Sequence, residues 1–123
     1  MKTISTESAP AAIGPYSQGM EHGGLVFTSG QIPIDPTTGE VTEAKIEPQA
    51  RQSMENVGAV LAAAGSSFEQ VIKTTCFLSD MADFAQFNQV YAEYFVSNPA
   101  RSCVAVKTLP KGVLCEVEAI AWK

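Results

Sequence analysis

Positive charge is scarce in this chain of 123 residues. Only eight lysines and arginines face thirteen aspartates and glutamates, which gives a net charge of −5 at pH 7. No run of basic residues occurs, so the composition argues against a protein that binds nucleic acid by neutralising phosphates. An anionic small molecule would also need a local positive group, and few are available.

Histidine and cysteine are also rare, with one histidine and three cysteines. His22 lies in a glycine-rich turn, far along the chain from Cys76, Cys103 and Cys115, and there is no CxxC motif. These spacings argue against a zinc site. The odd number of cysteines and their apolar neighbours indicate reduced, mostly buried thiols.

Long hydrophobic runs are absent as well. Mean hydropathy is +0.06, and no stretch has the length and apolar character of a membrane span. The N-terminal segment lacks the apolar core of a secretory signal, so we expect a cytoplasmic protein with no membrane association. The length predicts a single domain over residues 1–123, large enough to fold around one core.

The pattern of apolar residues predicts strands before, between and after two helices. The first helix, over 47–64, has an apolar stripe of Ala50, Met54, Val57, Leu61 and Ala64, and Gly65 stops it. The second helix lies within 80–96, and its stripe is Phe84, Asn88, Tyr91 and Phe95, with Phe87 and Tyr94 alongside. The predicted strands are a short one at "KTIS", two around Gly23-Gly24, one from about Val71, one over 101–109 and, after a turn at "PKGV", one over 115–123.

This order of elements predicts an α+β fold, with one mixed sheet and two helices on one of its faces. A chain of this size has no further element to cover the other face. We therefore expect that face to be buried against other copies of the chain.

Two charged residues stand out in the C-terminal strands. Arg101, one of two arginines, opens the apolar strand in "NPARSCVAV". Strand alternation places Glu116 and Glu118 on one face of the last strand, with Ile120 and Trp122. The short turn at "LPKG" favours antiparallel pairing of these two strands within one chain. A subunit interface is the other way to bring them together. In either case Arg101 and one of the two glutamates could meet.

Such a pair has two interpretations. One is a structural ion pair, or solvated charges at strand ends. The other is an anion clamp, because the guanidinium fork fits a carboxylate in a way that lysine cannot copy. A glutamate beside a bound anion is useful if it also handles a water or a substrate nitrogen.

Four other residues are weaker candidates. The Tyr16 hydroxyl in "GPYSQG" could contact a ligand, or the ring could pack over the loop. Ser29 and Gly30 end a strand in "FTSGQ", where a backbone N–H could meet an anion or an ordinary turn could form. Cys103 lies near Arg101, which could lower its pKa. A nucleophilic cysteine usually has a histidine partner, so we favour a packed thiol.

Six segments together resemble a known family. In order they are "GPYSQG", "TSGQIP", "QARQSMENV", "PARSCVAV", "LPKG" and "EVEAIA", and they resemble the RidA (YjgF) family of reactive-intermediate, or enamine/imine, deaminases from about Thr3 to Trp122. The resemblance implies a fold similar to trimeric chorismate mutase. It also implies a homotrimer in which three sheets form a barrel-like core and the active sites lie between subunits.

The resemblance also implies an activity, the hydrolysis of 2-iminopropanoate, 2-iminobutanoate and enamines such as 2-aminoacrylate. The products are 2-oxo acids and ammonia, and the implied biological role is metabolite damage control. No metal or organic cofactor is implied. Arg101 matches the arginine that grips the substrate carboxylate, and Glu116 the glutamate that orients or deprotonates water. Tyr16 matches a pocket tyrosine. The other positions that match the lining of the site are Ser29, Gly30 and Cys103; Glu118 is assigned a structural role.

The sequence departs from the family pattern in two places, and the shorter loop leaves the preferred imine open. "YFVSNPARS" is shorter than the corresponding stretch of relatives, and Cys115 stands where a branched apolar residue is usual. Three other functions stay open. They are a non-catalytic small-carboxylate binder or holdase-like chaperone, an endoribonuclease or translation inhibitor, and a chorismate mutase. The acidic composition disfavours the second, and the presence of only one further arginine, Arg51, disfavours the third.

Overall fold

A six-stranded mixed sheet forms the frame of the protein, described from a computed structural model that covers all 123 residues. Two helices pack on one face of the sheet, so the predicted α+β class is confirmed. Neither helix is long and apolar enough to cross a membrane. The elements in chain order are β1 (Lys2–Ile4), β2 (Gly19–His22), β3 (Leu25–Thr28), α1 (Ile46–Ala63), β4 (Val71–Leu78), α2 (Phe84–Tyr94), β5 (Ala100–Ala105) and β6 (Cys115–Trp122).

The strand order in the sheet is β1-β2-β3-β6-β4-β5. All neighbours are antiparallel except β4 and β5, which run parallel because α2 carries the chain back between them. The expected pairing of the Arg101 strand with the closing strand is wrong, since β4 lies between β5 and β6. The segment 106–114 is too long for a tight hairpin, and backbone hydrogen bonds from Val106 to Leu78 and from Ser79 to Leu114 guide it past the end of β4.

Helix α1 forms because its apolar residues recur on one face. Met54, Val57 and Leu61 are completely buried there, together with Ala50, as the periodicity predicted. The helix lies within one residue of its expected limits, and Gly65 follows it at φ +78°, a left-handed conformation that suits glycine.

Helix α2 only partly follows the expected pattern: Phe95, the last residue of the expected stripe, is 1% exposed, and the other buried residues lie beside that stripe. Phe87 and Val90 are fully buried against the sheet. Residues Phe84, Asn88 and Tyr91 of the predicted stripe are only half-buried. Helix α2 lies near the edge strand β5. Phe84, Asn88 and Tyr91 therefore extend past the edge of the sheet, where they can contact β5 side chains.

The second face of the sheet has no covering element within the chain, as expected. Alternation along β6 buries Cys115, Val117, Ala119 and Ala121 beneath the helices, and their neighbours point the other way. Phe27, Val104 and Trp122 are exposed on that open face by 39%, 47% and 52%. A face with this much apolar surface is typical of one that packs against another chain.

Gln49 joins two loops to α1 and allows a test of the packing. Its side chain is 2% exposed, accepts a hydrogen bond from the Leu114 N–H (2.8 Å) and donates one to the Thr42 carbonyl (3.1 Å).

Gln49→Met keeps the shape but leaves both backbone groups unpaired, which should lower the free energy of unfolding by about 2–4 kcal/mol in urea titrations. The exposed Gln86→Met should change it by less than about 0.5 kcal/mol. Equal effects of the two substitutions would contradict this account.

Candidate active site

Arg101 lies at the edge of the sheet, on the face that carries the helices. Its Nη1 donates a hydrogen bond to Asn88 Oδ1 at 2.8 Å. Its Cζ atom lies 4.6 Å from the centre of the Tyr91 ring and 5.5 Å from that of Phe84. No ion pair of the chain involves Arg101. The half-buried guanidinium is therefore held by a neutral amide and two aromatic faces, and its charge is not compensated.

Arg51, the other arginine, has a different environment. It forms two hydrogen bonds with the Glu93 carboxylate, at 3.0 and 2.8 Å, and lies 3.5 Å from Glu47. These contacts connect α1 and α2 on the protein surface. The charge of Arg51 is thus used within the fold, and Arg101 is the arginine available to an anionic ligand.

Glu116 points to the open face of the sheet. Its carboxylate packs directly against the Cα atom of Gly30, so closely that a Cβ atom at position 30 would overlap it. Burial raises the pKa of Glu116 above its usual range, and the nearby charge of Glu118 raises it further. A carboxyl in this environment holds its proton to a higher pH than a solvated one.

The segment after β3 places Gly30 beside Glu116. Two backbone hydrogen bonds link Gln31 and Val117, at 2.8 and 3.1 Å, and attach this segment to β6. Just before it, the Ser29 N–H donates to the Gln18 carbonyl and the Ser29 hydroxyl donates to the Ser17 carbonyl. The Ser29 hydroxyl therefore has a partner within the fold.

Tyr16 lies in the N-terminal loop, near Gly30. Its ring is 49% exposed, and its hydroxyl accepts a hydrogen bond from the Ile13 N–H at 3.3 Å. Tyr16 and Gly30 line the same small cavity, together with Ile13, Gln31 and Ile32. The exposed ring is positioned to form one wall of a cleft above Gly30.

Cys103 shares the helix-covered face with Arg101 and lies beside Cys76 in the β4–β5 register. The adjacent Cys76 thiol lowers the pKa of Cys103, and the Arg101 charge also lowers it. The opposite holds for the buried Cys76, whose pKa is raised by the same contact and by burial. No set of three or more histidine, cysteine, aspartate or glutamate side chains is arranged to hold a metal ion.

The candidate residues form two separate groups. The arginine half-site, on the helix-covered face at β5, contains Arg101 and Cys103 with Phe84, Asn88 and Tyr91. The glutamate half-site, around Gly30 on the open face, contains Tyr16, Ser29, Gly30 and Glu116. Arg101 pairs with Thr74, and Glu116 pairs with Phe77 on the opposite face of β4. The expectation that Arg101 and Glu116 could meet within one chain through paired strands is therefore wrong, because β5 and β6 lie about 10 Å apart and the side chains point to opposite faces.

The sequence pattern does not indicate that Asn88 and Tyr91 are partners of Arg101. Both fall in the apolar stripe of α2, and such a stripe predicts core residues. The available signal was the asparagine itself, because a polar amide within an apolar stripe needs a hydrogen-bond partner.

These features place the chain among small α+β proteins with the chorismate mutase-like fold. On that fold it carries an unpaired arginine at the sheet edge and a half-buried carboxyl on the open face. The chain belongs to the RidA/YjgF family, because the family model described as endoribonuclease L-PSP matches residues 6–123. The resemblance seen in the sequence is thereby confirmed.

Individual relatives are similar over nearly their whole length. The chain is 55% identical over 124 residues to the 2-iminobutanoate/2-iminopropanoate deaminase of Salmonella typhimurium, covering 98% of this chain and 96% of the relative. It is 53% identical to the Escherichia coli protein of that name, with the same coverage. Crystal structures of the E. coli YjgF gene product and of E. coli TdcF with bound serine superpose with TM-scores of 0.95, at 51% and 50% identity; each match covers 100% of this chain and 99% of the other.

The raised pKa of Glu116 predicts a pH-dependent stability. A carboxyl that binds its proton more tightly in the folded chain stabilises the fold below the ordinary carboxyl pKa, and this contribution is lost as the pH rises through the folded pKa. Glu116→Gln mimics the protonated form, so its free energy of unfolding relative to the native chain should increase from pH 4 to pH 8. Urea titrations at both pH values measure this, with exposed Glu69→Gln as the control for the loss of one charge. A relative stability of Glu116→Gln that falls with pH would contradict the assignment.

Proposed function

We propose that this chain hydrolyses 2-imino acids and their enamine tautomers to 2-oxo acids and ammonia, with 2-iminopropanoate, 2-iminobutanoate and 2-aminoacrylate as substrates. The observation that carries the proposal is the uncompensated guanidinium of Arg101 at the sheet edge. Support comes from the 53–55% identity to two proteins named 2-iminobutanoate/2-iminopropanoate deaminase.

Arg101 binds the substrate carboxylate in this proposal. One N–H group of the guanidinium is occupied by Asn88, and the remaining donors can form a bidentate contact with a carboxylate. Every proposed substrate has its carboxylate on the carbon that bears the nitrogen, and that carbon is the imine carbon once an enamine has tautomerised. Binding that group therefore fixes the position of the carbon at which water must attack.

Glu116 manages the protons of the reaction. The oxygen of a water molecule bonds to the imine carbon, the carbon–nitrogen bond breaks, and ammonia leaves. In its ionised form, a carboxyl with a raised pKa can take one proton from the water and a second from the hydroxyl of the resulting carbinolamine as the C=O bond forms, and pass both to the nitrogen, which leaves as ammonia. Because an imine is already electrophilic, positioning and proton transfer suffice, and the proposed reaction uses no metal or organic cofactor.

The other candidate residues complete the cleft. The Gly30 N–H has no hydrogen-bond partner within the chain and can donate to a ligand. Tyr16 contributes an exposed ring and hydroxyl next to it. Cys103 lines the opposite side, beside Arg101, and Ser29 holds the loop through its bond to Ser17.

Arg101 and Glu116 can act on one substrate only if two copies of the chain combine their half-sites. Within one chain the two residues point to opposite faces of the sheet. We propose a homotrimer with each active site between neighbouring subunits. Burial of the open face, with Phe27, Val104 and Trp122, would provide the apolar contact for this assembly.

RNA cleavage is the second candidate, because the family model is described as endoribonuclease L-PSP. The net charge of −5 disfavours it, since an RNA-binding surface draws most of its affinity from contacts with phosphates. A non-catalytic carboxylate-binding protein would use the same arginine. Turnover of an imine separates that function from the proposed one.

Arg101→Ala should lower kcat/KM by roughly 30- to several thousand-fold, because a charge-assisted contact with the carboxylate is lost. In the assay, a serine or threonine dehydratase or an amino-acid oxidase generates the imine. Semicarbazide competes for it, and trace amounts of this protein should suppress semicarbazone formation. Arg51→Ala is the matched control, since it removes the other arginine from a surface ion pair.

Two results of this assay would contradict different parts of the proposal. If Arg101→Ala suppresses semicarbazone formation as well as the native chain does, the assignment of Arg101 is wrong. If the native chain suppresses none of the alanine-, 2-aminobutyrate- and leucine-derived imines, the deaminase proposal itself is wrong, and non-catalytic carboxylate binding replaces it.

A further inference from the structure

We propose that Asn88 and Tyr91 are positioning residues that hold Arg101 through uncharged contacts, so that its positive charge stays available to a bound carboxylate. The inference rests on the function proposed above and extends the site to helix α2. It concerns how the arginine is held.

Asn88 provides a neutral acceptor where a carboxylate would also fit. Its Oδ1 atom accepts the 2.8 Å hydrogen bond from Arg101, and both side chains are half-buried. An aspartate could form the same bond, but it would add a negative charge next to the guanidinium and compete with any incoming carboxylate. Arg51 shows the alternative in the same chain, where carboxylates hold an arginine whose role is structural.

Tyr91 lies beneath the guanidinium and is itself fixed. Its hydroxyl forms a 2.7 Å hydrogen bond with the Thr74 hydroxyl, and its ring stacks on Phe95 with 4.5 Å between ring centres. Thr74 is the β4 residue directly beside Arg101 in the sheet. A phenol is neutral around pH 7, and burial raises the pKa of Tyr91 further above that range. The ring therefore offers a fixed face to a cation without neutralising it.

These contacts restrict the guanidinium before any ligand arrives. The amide contact holds one nitrogen and the Tyr91 ring lies under the guanidinium, while the remaining N–H groups have no hydrogen-bond partner within the chain. A ligand that meets a preoriented arginine loses less conformational entropy on binding. Substitutions of Asn88 should therefore act on substrate affinity more than on the chemical step.

Asn88→Asp is the most specific test, because it changes charge but not shape. We expect at least a ten-fold increase in KM with a smaller change in kcat, and an equal loss of affinity for 2-oxobutanoate measured by calorimetry. Gln89→Glu is the matched control, since it makes the same chemical change at an exposed position on the same helix. The inference is overturned if Asn88→Asp binds 2-oxobutanoate as tightly as Gln89→Glu does.

A second measurement needs no substrate. The chain has only two arginines, so its guanidinium NMR spectrum contains two sets of signals, which Arg51→Ala assigns. We expect slow rotation of the Arg101 guanidinium in the native chain and fast rotation in Tyr91→Leu, with slow rotation kept in Tyr91→Phe. A guanidinium that rotates freely in the native chain would overturn the positioning role.

The two measurements distinguish this inference from the proposed function. If Arg101 is held rigidly but the native chain neither binds 2-oxobutanoate nor hydrolyses imines, the proposed function fails, and the role of the free charge fails with it. If the native chain is active while Asn88→Asp has unchanged KM and unchanged affinity, the positioning inference alone is wrong.

Discussion

The contact between Arg101 and helix α2 is the interaction on which the rest of the site depends. Placing a guanidinium half inside a protein without a counter-ion is unfavourable unless hydrogen bonds and polarisable groups replace part of its hydration. Asn88 and the Tyr91 ring supply these groups, and Thr74 fixes the ring. That arrangement depends on the parallel pairing of β5 with β4, which places Thr74 directly beside Arg101.

The same topology divides the site. Parallel pairing places Arg101 and Cys103 under α2, whereas alternation along β6 directs Glu116 to the open face, against Gly30. One chain thus carries two half-sites that cannot meet, and an apolar face that it cannot cover. Both features have the same proposed explanation, which is association with further copies of the chain, so assembly and catalysis would depend on the same surfaces.

Local patterns in the sequence predicted much of the fold and the key residues. The apolar stripe of α1 predicted that helix within one residue, and the rarity of arginine drew attention to Arg101. The order of strands could not be predicted in this way, because the turn at "LPKG" does not specify which strand lies beside β6. The contact between Glu116 and Gly30 joins residues far apart in sequence, and no local pattern indicates it. The periodicity of α2 predicts its stripe of residues. Only the position of that stripe beside β5 shows that Asn88 and Tyr91 contact Arg101.

Mixing two inactive variants tests the central claim most directly. Arg101→Ala chains retain an intact glutamate half-site, and Glu116→Ala chains retain an intact arginine half-site. If each active site takes one half from each of two copies, refolding an equal mixture should restore about a quarter of the native deaminase activity, because a quarter of randomly formed sites contain both residues. Activity no greater than that of the separate variants, in mixtures shown to contain both chains in one assembly, would contradict the account.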